Sequence, residues 1–155
     1  MHRVRLLAVL LAITGVSWML PAPATASTTY TLVGIEVNPS PATFVGSLVG
    51  QFGTWKATVL HNPLSYTGTT LITGGAFTVT TFVPAGQVTG TIDSGTIVAG
   101  PVTSPNGFGC TQTFALGGTL NGGTGTYAGV LTHYGFLFGG RCNALSASFR
   151  GQAMI

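Results

Sequence analysis

Few side chains in this 155-residue chain could carry acid–base, nucleophilic or metal chemistry. Beyond the N-terminal segment they are Glu36, Asp93, His61, His133, Cys110 and Cys142. A hydrolytic triad would draw on Asp93 and one histidine, yet no Gly-x-Ser-x-Gly elbow accompanies them. Paired-carboxylate chemistry would require Glu36 and Asp93 to converge, because they are the only acids. A metal site would need His61, His133 and an acid to meet, and no His-x-His or His-x-x-x-His spacing favours it. The run Gly123-Thr124-Gly125-Thr126-Tyr127-Ala128 satisfies G-x-G-x-x-A. That chemistry needs a helix N-terminus facing a pyrophosphate, whereas Tyr127 to Tyr134 is rich in strand formers. The residues therefore assign no catalytic set, no metal and no cofactor, and they lean away from an enzyme.

The scarcity of charge is more telling. Charged residues make up 5% of the chain, about a fifth of their share in ordinary soluble domains. Threonine, serine, glycine and glutamine must then cover much of the surface. Glu36, Lys56 and Arg150 fall on expected strands, and two placements are open for them. They are either outward solubilising groups or an inward cluster that orients a polar group of a ligand. Likewise Trp55, Phe77, Phe114, Tyr127 and Phe149 either line a cavity or simply fill the core. Glu36, Trp55, Lys56, Tyr127, His133 and Arg150 are the candidate ligand-binding residues.

The N-terminus reads as a cleavable signal peptide spanning 1–26. A basic head containing Arg3 and Arg5 precedes the apolar run Leu6 to Leu20, and Ala24-Thr25-Ala26 fits the small-x-small cleavage rule. The run is shorter than the roughly 20 residues of a spanning helix, so no transmembrane helix is expected. Cleavage would remove two arginines and reduce the formal charge from +3 to +1. No basic cluster remains to neutralise phosphates, which argues against nucleic acid. Export would place Cys110 and Cys142 where a disulfide persists, stabilising the fold by about 3–4 kcal/mol in the chain-entropy model.

These groups must be positioned by strands. From Ser27 onward, β-branched and aromatic residues alternate with period two between glycine-rich turns. Expected strands are Thr28–Val37, Phe44–Val49, Thr54–Leu60 and Ser65–Val83, the last kinked or broken at Gly74-Gly75. Gln87–Ile92 and Thr96–Ala99 flank Asp93-Ser94-Gly95, read as a hairpin turn, and Pro101–Gly109 reads as a loop. Thr111–Leu120, Thr126–Phe138 and Ala144–Met154 complete the set. Residues 27–155 thus form one all-β domain: a compact antiparallel barrel of about eight strands, with a two-sheet sandwich as the alternative. Frequent strand glycines favour the more curved barrel.

The segment Gly122-Gly123-Thr124-Gly125-Thr126-Tyr127-Ala128-Gly129-Val130 resembles the hairpin of the dirigent and allene oxide cyclase barrel-like superfamily. In that hairpin a glycine-rich turn leads into an aromatic, a small residue and a glycine. Thr132 stands near where the family usually has a further glycine. The resemblance implies an eight-stranded barrel with a partly apolar cavity, often trimeric, but places no catalytic motif on these residues. The expected protein is secreted or cell-envelope associated. It is a non-catalytic binder of a small apolar or phenolic ligand, or a structural extracellular module. The competing expectations are a dirigent-like or cyclase-like enzyme and an outer-membrane β protein.

Overall fold

The computed structural model describes residues 27–105 and 107–155; the expected signal peptide lies outside them. The strands are β1 (Thr29–Pro39), β2 (Ala42–Leu48), β3 (Gly53–His61), β4 (Thr69–Phe82), β5 (Ala85–Thr103), β6 (Gly109–Leu120), β7 (Gly125–Phe138) and β8 (Arg141–Met154). Each pairs antiparallel with its chain neighbours, and β1 pairs with β8 to close an eight-stranded barrel. Closure excludes the sandwich alternative and leaves no free sheet edge.

Alternation sets the inside. On β1 Tyr30, Leu32, Gly34 and Glu36 share the inward phase; on β3 Gly53, Trp55, Ala57, Val59 and His61 share it. The core runs from Leu32, Phe44 and Trp55 through Phe77, Val79 and Ile97 to Phe114, Leu131 and Phe149.

Three expectations are corrected. Asp93-Ser94-Gly95 is not a hairpin turn, because β5 runs through it and its register with β6 shifts between Ile92 and Ser94. Asp93 occupies that bulge, so its side chain is free to reach another turn. The loop assigned to Pro101–Gly109 begins later, because β5 continues to Thr103. Pro101 falls within a second irregularity, between Ala99 and Val102, where no ladder N–H is required. The fourth strand starts at Thr69, not Ser65, since residues 62–68 fold across one barrel end. At Gly74-Gly75 the chain bends without breaking: β4 continues, and its register with β3 slips between Leu60 and His61.

The disulfide joins Cys110 and Cys142 with a Cα–Cα distance of 5.6 Å. It ties the starts of β6 and β8 across β7, the strand between them.

Candidate functional site

The barrel encloses a cavity of about 620 Å³. An eight-stranded barrel is just wide enough for inward side chains either to fill it or to leave room for one small ligand. Here glycines tip the balance. Gly34, Gly46 and Trp55 lie in one inward row across β1, β2 and β3. A Cβ on Gly46 would lie 2.6 Å from Trp55 Nε1, and one on Gly34 2.6 Å from Trp55 Cζ2. The indole is therefore laid along the wall, and its Nε1–H donates to the Val33 carbonyl at 2.9 Å. Tyr127 lies the same way over Gly118 and Gly95, with its hydroxyl donating to the Ser94 carbonyl at 3.3 Å. Phe77 covers Gly90, and Phe149 covers Gly129 and Gly151. Four rings that would otherwise project across the lumen thus pack against its sides.

The two ends differ chemically. Leu32, Trp55, Val79, Leu120 and Ala153 line the end near the β2–β3, β4–β5 and β6–β7 connections. At the opposite end the lining includes Glu36, Asn38, His61, His133, Asn143 and Ser146. Residues 62–68 cross this end. Gln112 Nε2 donates to the Tyr66 carbonyl at 3.0 Å, and Gly68 accepts from the Ala99 N–H at 2.9 Å. The Tyr66 ring meets Phe114 at 6.1 Å and His133 at 6.4 Å, with the Arg141 guanidinium 5.6 Å above it.

Electrostatics follow from burial. Desolvation raises the Glu36 pKa, and the charge of His61 pulls it partly back. Desolvation lowers the His133 pKa, which favours the neutral imidazole. Burial pushes Tyr127 up to about 12, so it stays a phenol. His133 is 7% exposed, and its Nδ1 is buried with no partner among the described residues; Gln112 Oε1 and Asn143 Nδ2 share that condition.

Of the nominated residues, Glu36, Trp55, Tyr127 and His133 face the cavity; Lys56 also borders it, but between two inward neighbours its exposed side chain points to the outer face. Lys56 and Arg150 do not join them in an inward cluster. Both are exposed, Lys56 between inward Trp55 and Ala57, and Arg150 directly after inward Phe149. Consecutive strand residues point to opposite faces, so an inward Trp55 forces Lys56 outward. Phe114 is fully buried beneath Tyr66 and His133 and closes the end, so of the two placements open for it, it fills the core. His61, weighed above only as a triad or metal residue, ends β3 in the inward phase. Sequence reasoning passed over Gln112, whose parity with Phe114 and Leu116 marks it as inward. Tyr66 and Asn143 carried no such signal.

Among the described residues no group of three or more His, Cys, Asp or Glu side chains could hold a metal. No helix among them is long and apolar enough to cross a membrane. Compared with family models, curated proteins and solved structures, the chain has no match.

Proposed function

We propose that this chain is an exported, hollow β-barrel that binds a small apolar or phenolic molecule in its lumen without transforming it. The observation that carries the reading is the 620 Å³ cavity kept open by rings laid on glycines. Its size falls within the roughly 300–1,000 Å³ typical of pockets for small ligands. The disulfide is compatible with an extracellular address. The meander order and the hairpin at Gly122–Gly125 agree with the dirigent and cyclase-like barrel resemblance. Outward Thr54, Lys56, Thr78, Thr80 and Thr89 interrupt any apolar belt, which weighs against an outer-membrane barrel.

One observation favours an enzyme as the second reading: Glu36 and His61 interact at the mouth, and the Glu36 pKa is raised, as a general acid would need. Native mass spectrometry of protein exported by its own host tests both. Binding predicts a retained small molecule that denaturation releases unchanged; catalysis predicts conversion of that molecule by fresh protein. The same spectrum reports whether 1–26 has been removed and whether the protein is a trimer. A ligand-free species whose Trp55 emission no apolar probe alters would overturn the cavity reading.

A further inference from the structure

We propose that the cavity selects an uncharged molecule with an apolar body and one hydroxyl, held with the hydroxyl at the His133 and Asn143 end. The proposal rests on the cavity-binding reading and specifies its ligand.

Lining chemistry gives the orientation. The end bearing Leu32, Trp55, Val79, Leu120 and Ala153 offers little but hydrocarbon, and the Tyr127 hydroxyl there is already committed to Ser94. A polar head placed at that end would lose its hydration without replacement. At the other end, polar groups stand without partners. Gln112 and His133 are register partners on β6 and β7, both inward, and each carries a buried unpartnered atom, Oε1 and Nδ1 respectively. His133 lines the cavity, and its imidazole, kept neutral by burial, carries one acceptor nitrogen in either tautomer. Asn143 Nδ2 supplies an unpartnered donor on the lining. One acceptor and one donor match a hydroxyl, which both gives and takes a hydrogen bond. An ether or ketone, having no donor, would leave the imidazole acceptor unpaired.

Charge distribution makes the ligand neutral. No cationic head points into the lumen: Lys56 borders the cavity but takes the outward strand phase, Arg150 is exposed on the outer face, and Arg141 lies over the Tyr66 ring. Glu36 stands at the mouth as the one acid facing the cavity. A carboxylate ligand would therefore approach a like charge and find no lysine or arginine within.

Titration of the disulfide-bonded chain with 1-decanol, decyl methyl ether and decanoate at pH 8 tests this, with Trp55 emission as the readout. All three probes are transparent at the excitation wavelength. We expect decanol to bind about tenfold more tightly than the ether, and decanoate about tenfold more weakly than decanol. His133→Phe keeps the ring against Phe114 and should bring the decanol-to-ether ratio close to one; Glu36→Gln should recover part of the decanoate affinity. Equal binding of decanol and ether by the unmodified chain would overturn the hydroxyl inference while leaving the cavity reading intact. Decanoate binding as tight as decanol would overturn neutrality. If none of the three perturbs Trp55, the cavity reading itself fails.

Discussion

Asp93 accepts hydrogen bonds from the Thr91 hydroxyl at 2.9 Å and from the Gly123 backbone N–H at 3.0 Å, 30 residues away. Asn121, in the left-handed region at φ 53°, accepts from the Thr91 N–H through its side chain, so bulge and turn brace each other. The positive φ of Gly122 and Gly123 lets the turn present its N–H groups to the carboxylate. These bonds, led by that of Gly122, hold the Asp93 carboxyl below its usual range. The folded pKa is depressed, so the contribution to stability is complete above the unfolded value near 3.8 and disappears as pH falls through the folded one. Asp93→Ala should lower Tm at pH 7, and the gap to the unmodified protein should close on titration toward pH 2; thermal melts across that range check it. His133 works in a different window. Its folded pKa is lowered, so the unfolded chain binds the extra proton and stability declines as pH drops below about 6.5. In His133→Phe this decline between pH 7 and 5 should be shallower, as equilibrium unfolding at a series of pH values would show. At Gly46 an added methyl meets both the Val33 carbonyl and the indole. Gly46→Ala should cost at least about 1–3 kcal/mol in urea unfolding, with altered Trp55 emission.

Strand phase made much of the site legible at the scale of elements. Once Trp55 and Phe149 are assigned inward, period two alone sends Lys56 and Arg150 outward, and the same rule puts Gln112 with Phe114. The inward placement left open for Lys56 therefore conflicted with information already in the sequence. Asp93-Ser94-Gly95 was a different case. Its composition suits a tight turn, but the partner that fixes its conformation is a glycine on the β6–β7 connection, beyond the reach of any local rule. The loop bearing Tyr66 is similar, since it is placed by Gln112 and Phe114 on a strand far along the chain. The disulfide ties this same region together, closing a separation of 32 residues. Its reduction should cost about 3–4 kcal/mol, measured by denaturant unfolding with and without reductant.

Whole-molecule behaviour follows from closure. β1 meets β8 only after the intervening strands are in place, with Tyr30 opposite Ala153 and Val33 opposite Arg150. Such non-local pairing predicts refolding on the millisecond-to-second scale typical of all-β proteins, which stopped-flow Trp55 fluorescence would measure; microsecond refolding would contradict it. The sequence by itself determined the all-β class, most strand positions and the cysteine pair, because alternation and turn chemistry are local and leave a direct mark in the residue order. Tertiary structure decided that the barrel is hollow. A glycine in a strand reads as curvature, and only the register shows that it stands beside an aromatic residue of the next strand and makes room for its ring. It also decided that the polar residues gather at one end, since Glu36, His61, His133 and Asn143 come from β1, β3, β7 and β8. Their meeting depends on how eight strands close around a common axis.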